Sequence, residues 1–172
     1  MKYKEIAFIK LHALYVLNKY DEGIKYAFDT SAIFKSGYDD WFRFKEYQFL
    51  ILMKAGKFHH ATNVFRSVRV NKNYHKIADI DKERWTIYRV YLLFVNDSKL
   101  VKWGFDLEKY KEETPRFEKD YQGYNIATFI IQFLLYFREA DAKNLKIKLN
   151  QLSQFSSVHL DKRHNYRNSI FI

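Results

Sequence analysis

The feature that most constrains this chain is how few residues interrupt a helix. Only one proline and five glycines occur among 172 residues, and both types are unfavourable inside helices. Between them, apolar residues recur at spacings of three and four, the period of an α-helix, rather than in the alternation of a β-strand. The pattern predicts an all-α fold.

Apolar stripes predict which helix faces pack together. With 48% hydrophobic residues, the chain has enough apolar surface for an ordered core. The longest apolar stretch, residues 126–137, contains Gln132 and is shorter than the ~20 residues of a membrane span, so we expect a buried helix and no membrane partner. The three clearest stripes are Ile126, Phe129, Ile130, Phe133, Leu134 and Phe137; Trp85, Tyr88, Leu92 and Val95; and Ile6, Ile9, Ala13, Val16, Leu17 and Tyr20.

Capping residues predict the helix boundaries. Thr114 followed by Pro115 is the strongest start signal, because proline at the first helical position gives up an amide that would have no partner. The other expected caps are Asp21, Asp39 and Asp79 at helix starts and Gly37 and Gly56 at helix ends. About eight helices are expected, at 2–19, 21–36, 39–55, 57–70, 79–96, 99–112, 115–139 and 141–157, with a further one starting near 161. Their short links favour antiparallel hairpins.

Two of the expected turns share a pattern, and Tyr20 and Phe58 occupy equivalent positions 38 residues apart. Each turn has a small residue, an aromatic residue two positions later and a small residue three beyond that. The second copy resembles the turn and second helix of a tetratricopeptide repeat on four residues, Gly56, Phe58, Ala61 and Phe65. The resemblance implies one helical-repeat domain over residues 1–172, with stacked hairpins in an α–α superhelix that binds peptides or proteins.

Charge is concentrated in two segments of this basic chain, whose formal net charge is +10. Residues 47–78 contain no acid and carry +6, and residues 142–172 carry +5. The first segment contains Lys54, Lys57, Arg66, Arg69, Lys72 and Lys76, and the second contains Lys143, Lys146, Lys148, Lys162, Arg163 and Arg167 with Asp161 as its one acid. An acidic protein or peptide is therefore the expected partner, and the six cations of the first segment are the expected binding residues.

Nucleic acid is the alternative partner of the basic segments 54–76 and 143–167. The first of them also contains Phe58, Phe65 and Tyr74, and binders of single strands combine cations with aromatic rings on which bases stack. The opposing interpretation is that Phe58 and Phe65 face the core, as their places in the repeat pattern suggest.

Catalytic motifs with a fixed spacing are absent from the sequence, including glycine-rich phosphate loops, nucleophile elbows and paired-histidine metal motifs. A cofactor-dependent enzyme is therefore not expected. Arg69 and His75 fit loosely the arginine–histidine spacing of helical HEPN-type ribonucleases, in which the histidine would move a proton. His59 and His60 point about 100° apart on a helix and are not expected to share a metal ion. The simpler interpretation is a solvated basic loop for Arg69 and His75 and a solvated helix start for His59 and His60.

Composition and the two ends of the sequence predict the compartment and whether the chain belongs to a longer protein. No cysteine is present, so disulfides and thiolate metal sites are excluded, and a reducing compartment such as the cytoplasm is expected. Residues 1–10 lack the apolar block of a secretory signal. Residues 168–172 resemble the opening of a helix without a cap and end in three apolar residues, where a terminal repeat would be polar, which predicts that the chain is a fragment of a longer helical array.

Overall fold

The computed structural model describes residues 2–95, 104–112 and 124–159, and in these ranges it confirms an all-α fold of eight α-helices with no strand. The chain divides into two compact units, residues 1–103 and 104–172. One continuous repeat domain stays a prediction. The helices of unit 1 are α1 (Lys2–Val16), α2 (Tyr20–Thr30), α3 (Asp39–Lys54), α4 (Phe58–Arg69) and α5 (Asp79–Val95), and those of unit 2 are α6 (Leu107–Glu112), α7 (Tyr124–Arg138) and α8 (Ala142–His159).

The predicted aspartate caps are wrong by one or two residues. Asp39 and Asp79 are the first residues of their helices, and Asp21 is the second residue of α2. The Asp79 carboxylate accepts a hydrogen bond from Lys82 at 2.7 Å instead of capping backbone amides. All three carboxylates still lie in a first turn, where they interact favourably with the helix dipole. Thr114 and Pro115 lie outside the described residues.

Three helices end in the same left-handed turn. Asn18, Gly56 and Ala140 have φ values of 59°, 68° and 55°, and Gly56 was predicted as such a stop. The residue after each donates its amide to a carbonyl five positions back, which satisfies an otherwise orphaned acceptor. These bonds are Lys19 N to Leu14 O at 2.9 Å, Lys57 N to Leu52 O at 2.9 Å and Asp141 N to Tyr136 O at 3.0 Å.

Ala140 is the strained member of this set, because its Cβ disfavours the left-handed region that glycine adopts freely. We expect Ala140→Gly to raise the free energy of unfolding by about 0.5–1 kcal/mol. Thermal unfolding followed by circular dichroism measures the change. Ala127→Gly, inside α7, is the matched control and should lose about 1 kcal/mol, since glycine is unfavourable in a helix interior. Equal losses in both variants would contradict the turn at Ala140.

Three predicted helices differ at one end by three residues or more. The helix expected at 2–19 ends at Val16, before the turn at Asn18. The helix expected at 21–36 ends at Thr30, where the Thr30 and Ser31 hydroxyls donate to the carbonyls of Tyr26 and Phe28 at 2.7 and 2.9 Å and compete with the helical pattern. A short 3₁₀ turn, Ser31–Ile33, follows, so Gly37 lies in a connecting turn and is not a helix stop. In the helix expected at 99–112, residues 104–106 are not helical, because the Asp106 carboxylate caps α6 by accepting from Lys109 N at 2.9 Å.

Unit 1 is built from helices that contact their neighbours along the chain. The turn at Asn18 folds α2 back on α1, and α3 packs against both of them and against α4, which contacts α5. Phe34 stacks on Phe44 of α3 with ring centroids 4.3 Å apart and also meets Phe8 of α1 at 5.2 Å. Aromatic rings therefore fill the space between the first hairpin and α3.

A polar contact joins α3 to α5 beside this core. Glu46 of α3 lies 3.0 Å from the Arg84 guanidinium and accepts a hydrogen bond from the Tyr88 hydroxyl at 2.7 Å. Burial raises the pKa of Glu46, and Arg84 and the Tyr88 hydrogen bond partly oppose that rise. These two contacts hold α3 and α5 in a defined register.

The stripe predicted at the start of the chain faces solvent, not the core. α1 buries its opposite side, with Ala7, Phe8, Leu11 and Leu14 each at most 9% exposed. Both sides of α1 are apolar, so periodicity alone selected the wrong one. We name the exposed side the outer stripe; its members are Tyr3, Ile6, Ile9, Ala13, Val16 and Leu17.

In unit 2, α7 packs against α8 as a hairpin, and α6 contacts α7. Gln132, within the apolar stretch 126–137 of the helix predicted at 115–139, is fully buried, and its amide donates to the Tyr110 carbonyl at 2.7 Å. Of the predicted stripe, Ile126 and Phe129 are buried and Phe137 is 65% exposed. Within the described ranges, no helix is long and apolar enough to cross a membrane.

Candidate partner-binding surface

All six predicted binding cations are exposed, but they do not form one group. Lys54 and Lys57 flank the turn between α3 and α4, and the other four follow at the opposite end of α4. A helix of 12 residues separates the two ends by about 18 Å at 1.5 Å per residue. We name the larger group, Arg66, Arg69, Lys72 and Lys76, the basic cluster.

Helix electrostatics explain part of the basic cluster. Arg66 and Arg69 occupy the last turn of α4, where the carbonyl ends of the helix favour positive charge by about 0.3–1 kcal/mol each. Lys72 lies in the loop after α4, and Lys76 ends the 3₁₀ turn Tyr74–Lys76. The two arginines therefore stabilise the helix. Lys72 and Lys76 lie beyond its end, so helix stabilisation does not explain their positive charge.

The loop that carries Lys72 is held by side-chain hydrogen bonds. Asn71 donates its amide to the Ser36 hydroxyl at 2.9 Å, and Asn73 donates to the Gly37 carbonyl at 3.1 Å. The side-chain carbonyl of Asn71 also accepts a hydrogen bond from the backbone amide of Asn73 at 2.9 Å. The connection after α4 is thus fastened to the connection after α2, which gives the basic cluster a defined base.

Arg69 stacks on Tyr74 at this end of α4, and both residues interact electrostatically with Arg89 of α5. The Arg69 guanidinium lies over the Tyr74 ring, 4.5 Å from its centroid. Arg89 of α5 is 5% exposed, and burial, followed by the charge of Arg69, lowers its pKa to about 10, while Tyr74 raises it. Arg89 is still charged at neutral pH. The cluster therefore has a buried cation close to its exposed ones.

The aromatic residues of the nucleic-acid alternative are not open stacking surfaces. Phe65 is 4% exposed and packs 6.2 Å from Trp85, and Phe58 is half-buried. Tyr74 is half-buried with Arg69 over its ring. Phe65 therefore faces a neighbouring helix, and the Tyr74 ring is engaged by Arg69.

The second basic segment is only partly described. Lys143 and Lys146 are exposed on α8, whereas Lys148 is buried, and this burial lowers its pKa while Glu112 raises it. Lys162, Arg163 and Arg167 lie outside the described residues, as do the predicted helix near 161 and residues 168–172. Only Lys143 and Lys146 are therefore placed as surface cations in this segment.

The histidines that the sequence singled out, His59, His60 and His75, are exposed at different places in unit 1. His59 and His60 are exposed in the first turn of α4, with ring centroids 5.9 Å apart. His75 is exposed next to Tyr74, while the guanidinium of Arg69 is stacked on Tyr74. No group of three or more metal-ligating side chains occurs in the part of the chain that the structure describes.

Sequence reasoning missed two cations at this end of unit 1. Arg89 interrupts the apolar face of α5 four residues after Trp85, and a cation on such a face was a readable signal. Lys35, exposed beside Ser36, belongs to a segment distant in sequence, and the Asn71–Ser36 and Asn73–Gly37 hydrogen bonds connect that segment to the loop. No protein-family model, curated protein or solved structure matches this chain.

Proposed function

We propose that this chain is a non-catalytic interaction module of tetratricopeptide-like helical hairpins that binds an acidic segment of another protein, in the cytoplasm. The observation that carries the proposal is the basic cluster: four exposed cations on a fastened helix end and loop, in a segment without any acid. The 38-residue offset between the left-handed turns at Asn18 and Gly56 supports the hairpin repeat.

Carboxylates fit this cluster for geometric reasons. Arginine presents a planar fork of donors that matches a carboxylate, and lysine supplies a point charge that adjusts to either side of it. Asn71 and Asn73 fasten the loop before any partner arrives, so less conformational freedom is lost on binding. An extended peptide rich in Asp and Glu is the class of ligand that we propose.

A protein partner is favoured over nucleic acid because the aromatic rings are already engaged. Binders of single strands need exposed rings for base stacking, and Phe65 and Tyr74 instead contact Trp85 and Arg69. Phosphate attraction to the cations alone would remain, and it would give weak binding that falls steeply with salt.

Charge reversal tests the proposal. In Lys72→Glu/Lys76→Glu, we expect the fold to be unchanged, because both side chains are exposed, and the affinity for the partner to fall at least about tenfold. The measurement is affinity capture on the immobilised chain, identification of the captured protein, and titration of that purified protein against both forms. Circular dichroism checks the fold.

The matched control is Lys143→Glu/Lys146→Glu, which reverses two exposed lysines of unit 2. It should leave the affinity unchanged. Equal affinity of the Lys72/Lys76 variant and the unmodified chain would remove both residues from the site. Binding of single-stranded RNA that survives about 0.2 M salt would favour the nucleic-acid alternative, and RNA cleavage abolished by His75→Ala would contradict a non-catalytic role.

A further inference from the structure

The outer stripe of α1 is a long apolar face with no cover among the described residues of unit 1. Tyr3, Ile6, Ile9, Val16 and Leu17 are between 57% and 80% exposed. With about 200 Å² for each fully exposed residue of this size, they present roughly 600 Å². Single exposed apolar side chains are ordinary, whereas a patch of about 600 Å² matches the largest that a typical monomer exposes, which is often functional.

Three residues of the outer stripe correspond to buried residues of α3, whereas Ile9 and Val16 correspond to the half-buried Tyr47 and the exposed Lys54. With the 38-residue offset between the turns at Asn18 and Gly56, Tyr3, Ile6 and Ala13 of α1 are equivalent in position to Trp41, Phe44 and Ile51 of α3. Those three α3 residues are at most 8% exposed. Phe44 stacks on Phe34, and Ile51 lies against Gly23 of α2. α1 thus carries apolar residues at positions that α3 buries against a hairpin.

The stripe is complementary to itself. Ile6, Ile9, Ala13 and Val16 follow spacings of three, four and three, the seam that two helices bury when they pack side by side. These positions are symmetric about residue 11. In an antiparallel pair, Ile6 of one helix therefore meets Val16 of the other, and the larger Ile9 meets the smaller Ala13.

The charges beside the seam fit the same arrangement. Glu5 and His12 are exposed along one edge of α1, and an antiparallel pair brings this edge of one copy against the same edge of the other. Lys19 lies beyond the end of α1 and contacts Glu22 of its own chain at 3.0 Å. On the opposite edge the Lys10 ammonium leans over the Tyr26 ring of its own chain, 4.2 Å from the centroid, which draws the central cation away from its counterpart. Edge charges of this kind set partner and orientation.

We propose that two copies of this chain associate through the outer stripes of α1, packed antiparallel about a two-fold axis. The roughly 600 Å² of exposed stripe approaches the about 800 Å² per partner of a stable interface, once the edge residues are included. A second copy is the occupant because one surface supplies both complementary halves, as an isologous interface requires.

Sedimentation equilibrium of the full chain, up to about 100 µM, tests the pairing. We expect a monomer–dimer equilibrium, weakened at least about thirtyfold by Ile9→Lys, which places a charge at the centre of the seam. Val70→Lys is the control, because Val70 at the end of α4 is 69% exposed and Ile9 is 70% exposed. A monomer at every concentration, or a dimer that Ile9→Lys leaves unchanged, would overturn the proposal.

Cross-linking tests the orientation, since the natural chain has no cysteine. In an antiparallel pair, Ile6→Cys/Val16→Cys forms an intermolecular disulfide on mild oxidation, and each single variant does not, because residues 6 and 16 are about 15 Å apart along the helix. Cross-linking by either single variant would show a parallel pair and overturn the two-fold antiparallel arrangement.

Discussion

Replacing Trp85 with alanine is expected to destabilise unit 1 by about 3–5 kcal/mol, the usual cost of removing a large aromatic side chain from a core. Trp85 is 2% exposed, and its ring centroid lies 5.6 Å from that of Phe49, 6.2 Å from that of Phe65 and 5.5 Å from that of Tyr88. The three partners come from α3, α4 and α5, so the cavity would lie where these helices meet.

Urea unfolding followed by circular dichroism measures this loss without depending on the removed fluorophore. Trp85→Phe should recover part of it, because an aromatic ring still contacts Phe49. Phe28→Ala, at a residue that is 77% exposed, is the control and should change stability by less than about 0.5 kcal/mol. Similar midpoints for Trp85→Ala and Phe28→Ala would show that Trp85 does not lie in a packed core.

Gly23→Leu is expected to destabilise the same unit by about 2 kcal/mol through overpacking. A Cβ at Gly23 would lie 3.1 Å from Cδ1 and 3.3 Å from Cγ2 of Ile51, so the rest of a leucine side chain has no room between α2 and α3. Leucine favours a helix over glycine by about 1 kcal/mol, and the steric cost exceeds that gain. Chemical unfolding at equilibrium measures the difference.

A second substitution separates this clash from other causes. Ile51→Ala alone costs about 2–5 kcal/mol by leaving a cavity, and the introduced leucine side chain would fill that space in the double variant Gly23→Leu/Ile51→Ala. We expect the double variant to be more stable than the sum of the single effects by at least about 1 kcal/mol. Strict additivity would mean that α2 and α3 do not meet at Gly23.

The helices themselves were readable from local sequence. The starts of α3 and α5 and the left-handed stop at Gly56 follow from nearby residues, because a helix is closed by hydrogen bonds within a few positions. The predicted end of α2 is wrong because the Thr30 and Ser31 hydroxyls donate to carbonyls of their own helix. Threonine and serine occur both within helices and at helix ends, so the residue type alone does not predict the end.

The candidate surface was predicted only in part. All six cations are exposed as expected, but the length of α4 divides them, and Arg89 joins the cluster from another helix. A run of charge in sequence does not give its distribution in space, because a helix rises by about 1.5 Å per residue and so separates charges that lie at its two ends.

Composition and periodicity by themselves determined that this chain is helical and where most helices lie, because those properties depend on neighbours within one or two turns. Only the tertiary structure decided which side of α1 is buried. Both sides of that helix are apolar, and burial is set by contact with α2 and α3 across the unit. The same contacts left the outer stripe in solvent and brought Arg69, Tyr74 and Arg89 together, because packing joins residues that the chain keeps apart.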